Sequence, residues 1–344
     1  MIAATTLLLL GPFSLAILYV FRRSPPSRAR WWSWAAAWFL AAGLVAPLAM
    51  KLGRSDSFGW MQSLCWALFL VLPLLLWGLS LLERGWGRVW VSAAALLLSA
   101  ISLDAFFVEP RRLELSRVVV PGLPARVLLV ADVQTDQVGA WEEEVFDRMI
   151  AENADLVLFA GDYIQAPKRI WAEQAEKLRT QMLRLHPRLG ALAVHGDVDP
   201  KAWKHIFEGT SVRAEEETTV VPLGAITVTM LHIDDSRAPV LGRPMPVSPQ
   251  PGFHIVLGHA PDIALGKPPA DLIVAGHTHG GQVRLPGIGP LITMSQVPRT
   301  WAAGVTELPG GSTLVVSRGI GMERRDAPRL RFGCRPELVV LEPG

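Results

Sequence analysis

The residues best equipped for chemistry lie in one short stretch, Gly276-His277-Thr278-His279-Gly280-Gly281-Gln282. Two histidines one residue apart on a turn can aim both imidazoles at one point, and imidazole is the commonest protein ligand for transition metals. Gly276 permits a sharp turn, and Gly280-Gly281 let the backbone come close to a ligand. Asp132, Asp162, Asp197 and His259 add groups of the same kind. Gathered at one place, these carboxylates and imidazoles would repel or stay unsatisfied without a cation. Carboxylates can bridge two ions, and neutral imidazoles complete each shell. No Ser-His-Asp or reactive-cysteine pattern competes for the role. Cys65 in an apolar run and Cys334 near the C-terminus form neither a metal spacing nor a disulfide framework.

The elements that must position these groups can be read next. From residue 125, short apolar runs alternate with longer polar segments, as in an α/β arrangement. Val127–Ala131 ends in Asp132, and Leu156–Ala160 in Gly161-Asp162. Ala191–Val194 leads to His195-Gly196-Asp197, Ile255–Leu257 to Gly258-His259, and Leu272–Ala275 to Gly276-His277. Ligands of open α/β sheets bind outside the carboxyl ends of strands, where such side chains converge. One acid at a strand end is an ordinary turn or helix-cap residue; the repeated pattern points to a metal cluster. Trp141–Asn153 and Ile170–His186 have helix-compatible spacing, His186 closing the second. His205 falls in an expected helix, Lys201–Phe207, and His232 and His254 in strand-like runs, all three read as structural.

The first third is different. Half of the 344 residues are hydrophobic, and most of the 13 tryptophans precede residue 110. Crossing a bilayer takes about 20 mostly apolar residues in a helix. The runs 2–20, 31–50, 60–82 and 90–108 qualify, with Asp104 the charged residue inside them. They lack the polar face of a surface helix, and Trp31, Trp32, Trp60, Trp86 and Trp90 sit where indole favours the membrane interface. Arg22-Arg23 follow the first run where a cleaved signal would have small residues. Residues 1–110 are therefore read as a multi-pass membrane region, 111–124 as a linker and 125–344 as the α/β domain. Arg22, Arg23, Arg28 and Arg30 lie after the first span, and Arg84 and Arg88 after the third. Lys51, Arg54, Arg111, Arg112 and Arg117 lie on the other side. The first loop decides a near-tie: it is expected inside, which puts the C-terminal domain outside the cytoplasm. With a net charge of +2, no nucleic-acid partner is expected.

The order Asp132-Val133-Gln134, Gly161-Asp162, Gly196-Asp197-Val198-Asp199, Gly258-His259, Gly276-His277-Thr278-His279 resembles the calcineurin-like metallophosphoesterase superfamily. The later segments Gly280–Pro286, Ser317-Arg318-Gly319 and Arg331–Glu337 look like its membrane-associated bacterial branch. The resemblance covers about residues 115 to 344 and implies an α/β/β/α sandwich holding one or two divalent ions, Mn, Zn or Fe. It implies that Asp162 bridges them, that Asp132 and His279 hold the first, and that His259 and His277 hold the second with Asp197, which stands in place of an asparagine. Two departures matter. Gln134 replaces a histidine ligand of the first ion, and an amide oxygen is a weaker donor to a transition metal. Val198 replaces the histidine that assists phosphoryl transfer; His195 is a distant substitute. Arg284 and Arg318 are candidates to meet a phosphate.

The expected function is a membrane-anchored hydrolase of phosphate esters, monoester or diester, in which a metal-bound hydroxide attacks phosphorus. Its membrane setting suggests a lipid-linked or envelope phosphate. Gln134 and Val198 also allow a second class: a non-catalytic membrane protein that binds metal and a phosphorylated ligand on the same fold.

Overall fold

The computed structural model describes residues 1–23, 28–53, 55 and 58–344. Arg54, one of the loop charges weighed above, lies outside the described residues. The chain forms two compact units, Met1–Phe107 with Arg325–Arg329, and Val108–Arg324 with Leu330–Gly344.

Among the described residues, four helices are long and apolar enough to cross a membrane: Ile2–Arg23, Trp31–Gly53, Phe58–Leu82 and Gly85–Arg111. Leu10, Ile17, Trp38, Val71, Leu75 and Leu79 pack inward, whereas Leu8, Leu15, Leu44, Leu74, Leu96 and Leu97 are exposed. Leucine on the outside as well as the inside suits hydrocarbon surroundings. Buried polar groups among these helices are paired: Thr6 and Ser63 hydroxyls at 2.8 Å, Trp38 Nε1 donating to Ser14 Oγ at 3.1 Å, and Ser80 Oγ donating to the Trp77 carbonyl at 2.8 Å.

The second unit is built on fourteen strands. In chain order they are β1 (Glu114–Val120), β2 (Val127–Val130), β3 (Leu156–Phe159), β4 (Ala191–Ala193), β5 (Val212–Ala214), β6 (Thr219–Leu223) and β7 (Ile226–Met230). Then come β8 (Phe253–Leu257), β9 (Leu272–Ala275), β10 (Arg284–Leu285), β11 (Gly289–Pro290), β12 (Gly304–Glu307), β13 (Thr313–Val316) and β14 (Glu337–Pro343). One six-stranded sheet runs β1-β14-β2-β3-β4-β5 and the other β12-β13-β9-β8-β7-β6, with β10 and β11 a small hairpin. The pairs β2–β3, β3–β4 and β8–β9 are parallel, so each sheet gathers several carboxyl ends at one edge.

Burial follows the two-residue period of a strand. Val127, Leu129, Leu156 and Leu158 face Val228, Met230, Ile255, Leu257 and Val274 in the core between the sheets. The alternate residues Leu128, Val130, Val157 and Phe159 pack outward with Val145, Phe146, Met149, Leu178 and Met182. The last five lie on the helices Ala140–Ala151 and Lys168–Met182. Behind the other sheet, Val256, Ile273 and Leu314 pack on Ile263 and Ala264 of the 3-10 helix Pro261–Gly266. The architecture is the layered α/β sandwich expected, with short 3-10 turns in its fourth layer.

Several details differ from the sequence reading. The stretch 111–124 contains an edge strand, β1, parallel to β14; its charges mask an alternation that buries Leu115 and Val118 against the core. The second helix stops at Met182, short of His186, because the residue before Pro187 is disfavoured in a helix. Trp203–Phe207 is a 3-10 turn, and His232 lies in the loop after β7, its Nδ1 accepting the Asp234 N–H at 3.1 Å.

Candidate metal centre

Asp132, Asp162 and Asp197 leave β2, β3 and β4; His259, His277 and His279 leave β8 and β9. The turns lock together through their backbones. Asp132 N–H donates to the Gly161 carbonyl at 3.1 Å, Gln134 N–H to the Asp162 carbonyl at 2.8 Å, and Gly276 N–H to the His259 carbonyl at 2.9 Å. His277 N–H reaches both oxygens of Asp132 at 3.0 Å, which ties one sheet to the other. Glycine is required where these chains touch: a Cβ on Gly196 would collide with Asp162 Oδ1, and one on Gly276 with Asp132 Oδ2. Asp132, Gln134, Asp162, His277 and His279 all adopt positive φ, from 35° to 68°. Non-glycine residues in this region carry strain of about 1–3 kcal/mol each, held by the surrounding structure.

Two overlapping ligand groups result. Asp197, His259 and His277 each offer one ligand atom, all within 4.8 Å of one another, and so do Asp132, Asp162 and His259. Backbone carbonyls choose the imidazole tautomers. His259 Nδ1 donates to the Ala160 carbonyl at 2.7 Å, and His277 Nε2 to the Met294 carbonyl at 3.2 Å. The opposite nitrogens, His259 Nε2 and His277 Nδ1, then meet each other at 3.2 Å. They lie 3.7 and 3.4 Å from the carboxylate of Asp197, and His259 Nε2 lies 3.6 Å from Asp162 Oδ2. A carbonyl fixing the far nitrogen is the usual support of a metal-binding histidine. Two buried atoms nearby, Gln134 Oε1 and His279 Nδ1, have no hydrogen-bond partner. An unpaired buried polar atom costs about 1–3 kcal/mol, and both are lone-pair donors that a cation satisfies. The residues fit divalent metal.

The electrostatics agree. Burial raises the Asp132 carboxyl to about 7, opposed by His259 and the His277 N–H. Burial also holds Asp162 well above its ordinary value. Burial works against protonating His259, but Asp162 and Asp197 outweigh it and raise its pKa well above the usual imidazole value. Burial, with His259 beside it, lowers His277 to about 4, and burial with Arg331 depresses His279. The cluster is short of positive charge, which a metal would supply.

The other sequence candidates have partners of their own. His195 Nε2 meets the Asp199 carbonyl at 3.1 Å and its ring packs on Trp203. Val198 is half-buried, its N–H donating to Asp162 Oδ1 at 3.0 Å. Arg284 donates to the Gly280 carbonyl at 3.4 Å. Arg318 binds Glu337 at 2.9 Å and is occupied as a structural cation. His279 stands outside both ligand groups; its carbonyl accepts from Cys334 Sγ at 3.2 Å, and the buried Glu109 carboxylate accepts the Cys334 N–H. His259 belongs to both groups, where one was implied.

Sequence reasoning missed three contributors. Asp199 accepts the N–H groups of Asp162, Tyr163 and Gly196 at 2.8–2.9 Å and so shapes both acid turns. Its place three residues after Gly196 was the available signal. Arg237 acts electrostatically on His277, and its Nε is buried without a partner. Glu323 binds the amides of Gln134 and Gln165; no local pattern announces it.

Comparison with known proteins adds independent findings. A family model for calcineurin-like phosphoesterases matches residues 125–281. The uncharacterized metallophosphoesterase YkuE of Bacillus subtilis is 31% identical over 207 residues, covering 54% of this chain and 67% of that protein. YkoQ of the same organism, also an uncharacterized metallophosphoesterase, is 25% identical over 63% of this chain and 84% of its own length. The phosphodiesterase YaeI of Escherichia coli is 26% identical over 56% of this chain and 72% of its own.

Proposed function

Since the chain belongs to the calcineurin-like phosphoesterase family, we propose that it is a membrane-anchored, metal-dependent hydrolase whose substrate is a lipid-linked phosphate ester. The observation that carries the hydrolytic reading is the pair of ligand groups sharing His259 at the joined sheet edges. When bound, divalent ions supply Lewis acidity and an acidified water. The chain's part is to hold and orient. Asp162 Oδ2 lies 3.6 Å from the shared His259 Nε2, and its Oδ1 is fixed by the Val198 N–H. Ala160 and Met294 carbonyls keep His259 and His277 in the tautomers that leave their facing nitrogens free. Valine at 198 cannot give a proton to a departing oxygen, so the reaction favours esters whose leaving group is stable as an anion. Arg237 is the proposed phosphate contact, as a cation whose buried Nε lacks a hydrogen-bond partner.

An apolar rim supports the lipid-linked substrate. Ile288, Leu291, Ile292 and Met294 are exposed on the loop whose Met294 carbonyl holds His277. Exposed apolar side chains clustered at a polar site suit an amphiphile better than a sugar phosphate or nucleotide. The arginines flanking the first and third spans support a domain outside the cytoplasm.

The test is hydrolysis by full-length protein with Mn²⁺, comparing an aryl phosphodiester with a phospholipid-like ester in mixed micelles. Preference for the micellar ester, lost in Ile292→Ser with Met294→Ser, is expected. Equal use of both esters would remove the lipid part. Metal-loaded protein that cleaves neither would sink the hydrolase and leave a binding protein. Thiol labelling of a cysteine added after Gly344 in intact cells reads the side of the membrane.

A further inference from the structure

Gln134 stands where the resemblance implies an imidazole, and its surroundings fix which way its amide faces. The residue is fully buried. Its Nε2 donates to Glu323 Oε2 and to Gln165 Oε1, each at 3.1 Å. A carboxylate only accepts hydrogen bonds, so the NH₂ end must face Glu323. Gln165 is fixed in the same manner. Its Oε1 takes the Arg324 N–H at 2.7 Å, and its Nε2 donates to Glu323 Oε1 at 2.7 Å. Both ends of this chain of amides rest on groups of fixed polarity, one backbone N–H and one carboxylate. Glu323 is anchored in turn by its own N–H on Gln282 Oε1 at 2.7 Å. Rotating the Gln134 amide by half a turn would set its oxygen against two acceptors. The oxygen is thereby committed to the other side, where it is buried and has no hydrogen-bond partner.

We propose that Glu323 and Gln165 are positioning residues that hold Gln134 Oε1 as a ligand for the first cation, and that this oxygen in place of imidazole makes that corner prefer a hard divalent ion, Mn²⁺ or Mg²⁺, over Zn²⁺. The proposal rests on the metal-dependent reading above. Asp132, Asp162 and Gln134 give the corner three oxygen donors beside the one shared imidazole, His259. Oxygen sets suit Mg²⁺ and Mn²⁺, whereas imidazole suits zinc and iron. The partner corner keeps His259 and His277 and so retains zinc or manganese. Glu323 neutralises nothing by itself; it makes a weak donor dependable by removing its alternative orientation, as outer-shell partners do for metal ligands.

The experiment uses full-length protein in detergent, stripped with chelator and reloaded with Mn²⁺, Zn²⁺ or an equal mixture. Elemental analysis gives ion number, and electron paramagnetic resonance gives the Mn²⁺ environment. From the mixture, wild type is expected to take Mn²⁺ at one position. Gln134→His should shift that position toward Zn²⁺ by at least ~10-fold, and Gln134→Leu should empty it while the other ion stays. Glu323→Gln, which lets the amide turn over, should weaken this Mn²⁺ about 10-fold, the low end for outer-shell changes. A purely structural Glu323 would lower the melting temperature without changing the Mn²⁺ to Zn²⁺ ratio. If Glu323→Gln does not fold, Gln165→Leu and Gln134→Leu decide. An unchanged ion count and spectrum in Gln134→Leu, or equal metal preference in wild type and Gln134→His, overturns the proposal. None of these readouts needs turnover, so inactivity toward phosphate esters would count against the hydrolase alone.

Discussion

At the Asp197 corner of the centre, the side chain of Asp197 is 38% exposed and faces two imidazoles whose tautomers are set by backbone carbonyls. At the Gln134 corner Asp132, Asp162 and His259 are all buried, as is Gln134, a neutral amide where the resemblance implies a nitrogen ligand. The first corner faces solvent with a full set of strong donors. The second is enclosed and depends on neighbours that do not touch the ion. Ligand identity and ligand control are thus divided unequally across one site, and variants should separate them.

The largest effect is expected from removing the carboxylate that the family resemblance implies as the bridge between the corners. Asp162→Ala should reduce hydrolysis to the level of a blank without enzyme, which also controls for contaminating phosphatase. Residual turnover in that variant would show that the corners work independently. Next, His277→Ala should strip the Asp197 corner of its firmly held ion while leaving the fold, with one equivalent lost by elemental analysis. Binding at about 100 times Kd stabilises a fold by about 2.7 kcal/mol, so thermal protection by Mn²⁺ should fall correspondingly. Protection equal to wild type would mean that the buried corner is the tighter one. Third, Val198→His should speed cleavage of an aryl phosphodiester at least ~10-fold, and an alkyl ester by more, because the poorer leaving group needs the proton. A flat response would place position 198 away from the departing oxygen.

The smallest effect is in pH. Burial raises the Asp132 carboxyl to about 7 and Asp162 higher than usual, while His259 is raised by its carboxylate neighbours. A raised pKa means that the proton is still present near neutrality and must leave before metal binds. Metal affinity should therefore rise with pH through that region, with protons released on binding. Calorimetry in buffers of different ionisation enthalpy measures the release. Affinity that does not change with pH would mean that the apo centre is already deprotonated. Mn²⁺ affinity at the buried corner should change more than at the open one, where His277 is held down to about 4 and Asp197 is lowered by its histidines.

Much of this was legible in the chain. Apolar runs ending in Gly-Asp or Gly-His mark strand ends, and a parallel sheet must bring strand ends together. The four helices long and apolar enough to cross a membrane were equally plain, because spanning hydrocarbon imposes a length and composition. What stayed hidden depended on distance or dihedral angle. Gln134 meets Gln165 and Glu323 across 31 and 189 residues, and no periodicity links them. The positive φ of Asp132, Asp162, His277 and His279 comes from the fold pressing the turns together, against the preference of the residues themselves. β1 was obscured by Glu114 and Arg117, whose charged ends reach solvent while the intervening residues pack.

The hydrogen bonds at Cys334 bear on how the domain could be separated from the lipid bilayer. Glu109, in the last turn of the fourth apolar helix, receives the Cys334 N–H, and Cys334 Sγ holds the His279 carbonyl at 3.2 Å. A soluble fragment starting at Arg111 would look clean by sequence, yet it would discard that carboxylate and leave a buried N–H unpaired, at about 1–3 kcal/mol. The loosened turn would be the one bearing His279. Such a fragment would fold and purify while under-reporting its metal, and an assay on it would understate the intact protein; one starting at Val108 keeps the tether.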